Sequence, residues 1–295
     1  MRNNAILQFL ATETRNLAQA GLLRKEPQLA APQGPLISVG GKEYVNLASS
    51  DYLGLATHPE VRKAAIGAVD AWGVGLAAPR VGTGTVALHA ELERAVAELV
   101  GASDALVFAS GYQANTGLFE SLLSDRDYLF CDELIRPSLA DGVRLCRARV
   151  YSYRNQDLEH LEDRLRRSRA ARFRVIVTDG VFPISGLIAQ LPDIYTLAAK
   201  YDALVVVDDT HGLGVLGDGG RGTHQLHGLG DRIDVVSGSF GAALGGGAGG
   251  FIAGRSEIIA WTCGSASRRA SSAVSATTAL TVRKVRGSGC SGEGR

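Results

Sequence analysis

The chain has 295 residues, 21% of them charged and 45% apolar, with a formal net charge of +1. This is the composition of an ordinary globular protein, long enough to bury a large core in one or two domains. A balance so near neutral gives no electrostatic case for nucleic acid or an acidic membrane surface, and no stretch is long and apolar enough to span a bilayer.

Met1 to Leu23 mixes apolar residues with Arg2, Glu13 and Arg15 and lacks the apolar block of a signal peptide. Residues 1–50 read as an N-terminal helix, a linker carrying Pro27, Pro32 and Pro35, and a small strand pair around Ile37–Asn46 with Gly40-Gly41 as its two-residue turn. From 51 to 262 helix and strand alternate. Glu60–Trp72 and Leu88–Val100 have helical apolar spacing. The short apolar runs Ala105–Ala109, Tyr128–Cys131, Val150–Tyr153, Val175–Thr178, Leu204–Val207, Val235–Ser237 and Phe251–Ala253 read as strands. The helical segments Ala114–Leu123, Leu139–Cys146, Leu158–Arg167 and Ile194–Lys200 separate most of them. This alternation predicts an α/β domain with a mostly parallel sheet covered on both faces.

Leu204-Val205-Val206-Val207 is apolar at every position, as a central strand should be, and Asp208 follows at its carboxyl end, where open α/β sheets place their ligands. The basic run Arg164–Arg174 reads as the solvated face of a helix and the start of a strand; the alternative is an anion site. Cys131, Cys146, Cys263 and Cys290 have no metal-ligand or CxxC spacing and read as free thiols of a reducing cytoplasm. Residues 263–295 turn rich in Ser, Ala, Thr, Gly and Arg and are expected to form an atypical, weakly ordered tail.

Asp208-Asp209-Thr210-His211, followed about thirty positions on by Ser239-Phe240-Gly241-Ala242, resembles the cofactor site of the α-oxoamine synthases. These are pyridoxal 5'-phosphate (PLP) enzymes that condense an amino acid with an acyl-CoA. Further motifs in the same order are Asp51-Tyr52-Leu53-Gly54-Leu55-Ala56, Gly82-Thr83 with His89, Asp141-Gly142-Val143-Arg144-Leu145-Cys146, Thr178-Asp179-Gly180-Val181-Phe182 and Gly220-Arg221-Gly222. Each is weak alone; their order and spacing are specific, and they are nearest in flavour to the 2-amino-3-ketobutyrate CoA ligase (glycine C-acetyltransferase) branch. The resemblance covers roughly Leu7 to Trp261. It implies the PLP type I, aspartate aminotransferase-like fold, with a truncated C-terminal domain, and a homodimer.

By that resemblance Asp208 bonds the pyridine nitrogen and His211 contacts the PLP 3′-oxygen. Keeping the nitrogen protonated lets the ring absorb a carbanion's electrons. Ser110-Gly111-Tyr112 forms a turn whose backbone N–H groups meet the phosphate at a helix start, and Ser239 supplies a phosphate-binding hydroxyl. Read without the family, these are a helix-capping Asp, a structural His, an ordinary strand-to-helix turn and a surface serine.

The catalytic set does not carry over. The family's lysine position is Ala242, its ring-stacking histidine position is Arg136, the serine after Val181-Phe182 is Pro183, and the aspartate two residues later is Ser185. That lysine holds PLP as an imine and serves as general base and acid, a task alanine cannot perform. Of Lys25, Lys42, Lys63, Lys200 and Lys284, none lies in the Ser239 loop. The resemblance therefore implies a non-catalytic member, a pseudoenzyme or a supporting subunit paired with a lysine-bearing paralogue. Alternatives are an active transferase of glycine C-acetyltransferase or 8-amino-7-oxononanoate synthase type completed by a partner chain, and a truncated or frameshifted member.

Overall fold

The computed structural model describes residues 4–245 and 247–266. The expected tail lies outside them, except that 263–266 continue a helix; Lys284 and Cys290 also fall outside. The chain divides into two compact units, up to Ala48 and from Ser49. In the first, helix α1 (Ala5–Gln19) precedes strands β1 (Leu36–Val39) and β2 (Lys42–Val45). The strands pair antiparallel from Leu36↔Val45 to Val39↔Lys42. Gly40 and Gly41 close the turn with φ of 58° and 79°, the left-handed pair that a two-residue hairpin needs.

The second unit opens with α2 (Pro59–Trp72) and α3 (Ala87–Val100), then alternates β3 (Asp104–Phe108), α4 (Gly111–Leu122), β4 (Tyr128–Asp132), α5 (Pro137–Leu145), β5 (Arg149–Tyr153), α6 (Leu158–Arg166), β6 (Arg174–Asp179), α7 (Leu191–Tyr201) and β7 (Ala203–Asp208). A short α8 (Thr223–Leu226), β8 (Val235–Ser239), β9 (Gly250–Gly254) and α9 (Ser256–Ala266) follow. The sheet order is β3-β9-β8-β7-β6-β4-β5. Only β9 runs against its neighbours. β7 is the middle strand, as its unbroken apolar run predicts.

Period-two alternation explains why these strands are apolar throughout. Phe130, Ile176, Val205 and Val207 enter the core layer that holds Leu92 and Val96 of α3. Leu129, Val175, Val177 and Val206 enter the opposite layer with Leu118, Phe119 and Leu139 of α4 and α5. Each face is covered, so polarity on either side would be costly. The last residues of β4, β6 and β7 escape this rule: Asp132, Asp179 and Asp208 lie at the carboxyl edge, all buried. The basic run falls as read: Arg166 ends α6 and Arg174 opens β6.

Candidate active site

Strand register sets the site. Asp179 and Asp208 are direct partners on adjacent parallel strands. Two carboxyl groups are thereby brought side by side, with 0% and 2% of their residues exposed. Like charges at this spacing and depth cannot both be cheap. Burial, and then the neighbouring Asp208, push the Asp179 carboxyl well above the usual carboxylate range, so it carries its proton near neutrality. Its Oδ2 accepts the Arg136 backbone N–H at 2.8 Å, while Oδ1 is buried with no hydrogen-bond partner among the described residues.

Asp208 is fully engaged. Its Oδ1 accepts Arg136 Nη1 at 2.8 Å and the Thr210 N–H at 3.0 Å, and its Oδ2 accepts Asn115 Nδ2 at 2.7 Å. Asn115 stands on α4 and also donates to Ser138 Oγ at 3.0 Å. Arg136 is the residue before α5, whose first position is Pro137; the proline holds it extended. Its side chain, 18% exposed, therefore reaches back over the sheet edge. His211 is half-buried, its Nδ1 within 3.0 Å of Tyr52 Oη. Burial, then the positive charge of Arg136, hold the imidazole below its ordinary pKa, so the ring is neutral at pH 7.

A second cluster forms where α4 begins. Ser110 caps the helix, its Oγ accepting the Gln113 N–H at 3.1 Å. Ser110 bridges to Gly249, and a Cβ on Gly111 would lie 2.9 Å from Cβ of Ser239. Ser239 Oγ accepts the Gly241 N–H at 3.2 Å. The helix start and the end of β8 thus form one cradle. Tyr112 is half exposed and its hydroxyl donates to Asp141 at 3.2 Å, so only its backbone belongs to the cradle.

Ala242 sits half-buried in the turn after β8, its carbonyl accepting the Gly245 N–H at 2.8 Å. Pro183 and Ser185 lie exposed in a turn closed by the Val181↔Ile188 bridge. Lys200 is committed to Glu162 at 2.5 Å at the end of α7, the amino edge of the sheet. Sequence reasoning missed Asn115, Tyr52 and Asp179 as site residues. The last two stand in quoted motifs, but only the fold brings their polar atoms to His211 and Arg136.

Asp209 is structural. Its oxygens accept the Thr223 N–H at 2.7 Å and the Thr223 hydroxyl at 3.0 Å. Three glycines wrap it: a Cβ at Gly180, Gly212 or Gly222 would fall within 2.4 Å of its carboxyl oxygens. Burial raises its carboxyl from 3.8 to about 7, against the Thr223 bonds that lower it. The folded state therefore holds a proton that the unfolded chain releases. This contribution to stability is complete below about pH 4 and is lost as pH rises to about 7, an effect of about 4 kcal/mol at most. Asp179 acts in the same direction. Urea midpoints are expected to fall between pH 5 and pH 8, and to fall less in Asp209→Asn. A wild-type midpoint that rises over this range would contradict the assignment.

A mostly parallel sheet of this order, carrying acidic residues at its carboxyl edge and a helix-start cradle beside them, is the large domain of a PLP type I fold. A family model for aminotransferase class I and II matches residues 42–284. The chain is 43% identical over 256 residues to 8-amino-7-oxononanoate synthase of Thermoanaerobacter pseudethanolicus, and 42% identical over 257 residues to 2-amino-3-ketobutyrate coenzyme A ligase of Escherichia coli K12. Each match takes 86% of this chain and 65% of the relative, so the chain spans about two thirds of their length. A structure of a lysine-to-alanine variant of serine palmitoyltransferase from S. paucimobilis, with a bound PLP–myriocin aldimine, superposes with a TM-score of 0.88 at 28% identity. That superposition covers 97% of this chain and 73% of the other. The chain belongs to the α-oxoamine synthases, a PLP-dependent family within aminotransferase class I and II.

The residues present divide over that cofactor. The Ser110–Gly111 cradle with Ser239 suits a phosphate. The ring end does not fit as the family uses it, because Arg136 already occupies Asp208 and no amine stands at 242.

Proposed function

We propose that this chain is a non-catalytic α-oxoamine synthase: an acyl-CoA:amino-acid C-acyltransferase-like protein that cannot run the condensation alone. The observation that carries it is Ala242, a methyl group in the turn where the family places its lysine. A positioned base is worth about 10²–10⁴-fold in rate, and a methyl group supplies none of it. The surviving parts are the phosphate cradle of Ser110, Gly111 and Tyr112 backbone with Ser239, and the Asp208 and His211 pair. They would hold PLP without a covalent bond, chiefly through its phosphate. PLP, when bound, supplies an electron-accepting ring. The chain's own residues orient His211 through Tyr52 and keep its imidazole neutral, able to donate or accept one hydrogen bond.

Substrates by relationship are an amino acid and an acyl-CoA. The partner is a second copy or, by the same reading, a lysine-bearing paralogue. Among the described residues no helix can cross a membrane and Cys131, Cys146 and Cys263 are free thiols, in keeping with the cytoplasm.

The test uses the purified chain with PLP. After borohydride treatment the intact mass is expected to show no pyridoxyl-phosphate addition. No condensation of glycine with acetyl-CoA, and no CoA-dependent cleavage of 2-amino-3-ketobutyrate, is expected either. A stoichiometric mass addition on any lysine, with turnover, would overturn the reading.

A further inference from the structure

We infer that Arg136 is a built-in counterion: its guanidinium takes, against Asp208, the place of the protonated ring nitrogen that PLP would bring, so that the folded chain is electrostatically complete without PLP. The inference rests on the reading of Asp208 as the ring-nitrogen partner and goes beyond it.

Asp208 is 2% exposed at the end of the central strand. A carboxylate at that depth needs a charged or multiply hydrogen-bonding partner. Its neighbour in register, Asp179, supplies no positive charge: burial and the Asp208 charge keep it protonated, and so neutral. Neutral donors come from Asn115 and from the Thr210 backbone, and the salt bridge comes from Arg136 at 2.8 Å. In a PLP enzyme the positive charge arrives with the cofactor. Here it arrives with the chain, on a residue held from behind by its own backbone, since the Arg136 N–H donates to Asp179 Oδ2 and Pro137 starts the helix.

Two consequences follow from one contact. The acidic edge of the sheet does not need PLP in order to fold. PLP, to place its ring nitrogen on Asp208, must first displace a charge-assisted hydrogen bond, the strong kind. Arg136, at the position of the family's neutral stacking histidine, thus blocks the ring interaction independently of the missing lysine.

The test has two arms. The first needs no PLP: unfolding is measured for wild type, Arg136→Gln, Asp208→Asn and the double variant. Arg136→Gln is expected to lower the unfolding midpoint markedly in the wild-type background and hardly at all with Asn at 208. The neutral double variant guards against a single variant that fails to fold, because removing both charges leaves neither unpaired. No coupling between the two substitutions overturns the counterion assignment.

The second arm measures PLP binding by equilibrium dialysis and by the thermal shift it causes. Arg136→His is expected to bind PLP at least tenfold more tightly than wild type. The gain should vanish in Arg136→His/Asp208→Asn and with the PLP analogue whose ring nitrogen is replaced by CH. Wild type binding PLP as tightly as Arg136→His, with binding lost in Asp208→Asn, overturns the blocking role. If coupling is found but neither wild type nor Arg136→His binds PLP, the counterion stands and the reading of the site as a PLP cradle falls.

Discussion

Gly250→Ala is expected to cost about 3 kcal/mol of stability, the upper end for overpacking a close contact, and to remove the proposed phosphate binding at the same time. Gly250 opens β9, and a Cβ there would lie 2.2 Å from the Gly111 nitrogen and 2.4 Å from its Cα. These are backbone atoms at the first turn of α4, so no side chain can swing aside. Either the strand or the helix must move, and α4 is also packed against α5 and α9. The N–H groups that a phosphate would meet belong to that first turn. One methyl group therefore couples fold and cradle. Equilibrium urea unfolding measures the first effect, and dialysis with PLP and with pyridoxamine phosphate the second. A variant within about 0.5 kcal/mol of the parent, binding phosphate ligands unchanged, would show that strand and helix can part without cost.

Ala242→Lys, which places a lysine where the resemblance puts the family's, is expected to restore attachment and not turnover. The turn after β8 is already formed around position 242, whose carbonyl holds the Gly245 N–H at 2.8 Å. A lysine there adds an amine to an existing turn. Borohydride should then fix one pyridoxyl-phosphate on the chain, visible as mass. On the reading of Asp208 as the ring-nitrogen partner, turnover would draw on the electron-accepting power that PLP supplies when its nitrogen is protonated. Arg136 holds that oxygen at 2.8 Å. The double variant Ala242→Lys/Arg136→His is expected to exceed Ala242→Lys by about 10²-fold or more in exchange of the glycine α-proton, the scale of a competent acid–base step. Full condensation at family rates in Ala242→Lys alone would show that Arg136 is no obstacle.

The elements were legible because their physics is local. The runs at Tyr128–Cys131, Val175–Thr178 and Leu204–Val207 read as buried strands, and each lies within a strand of the sheet, short by one or two residues, the last of each being an aspartate. Those ends were the part that pattern could not show. Asp132, Asp179 and Asp208 each terminate an apolar run and look alike in sequence. In the fold they differ. Asp132 secures loops through Leu134, Asn155 and Gln156; Asp179 is raised and holds the Arg136 backbone; Asp208 carries the ion pair.

Residue type and spacing along the chain already carry the alternating α/β order, the central place of the Leu204–Val207 strand, the family, and the lack of a lysine in the Ser239 loop. The contact Arg136 makes exists only in the folded chain. Its partner lies seventy-two positions away and is reached because parallel pairing of β6 and β7 sets two carboxyl groups side by side while Pro137 turns the loop over them. A missing amine can be read from a string of letters. The Arg136–Asp208 salt bridge depends on depth, register and direction, and those exist only once the chain has folded.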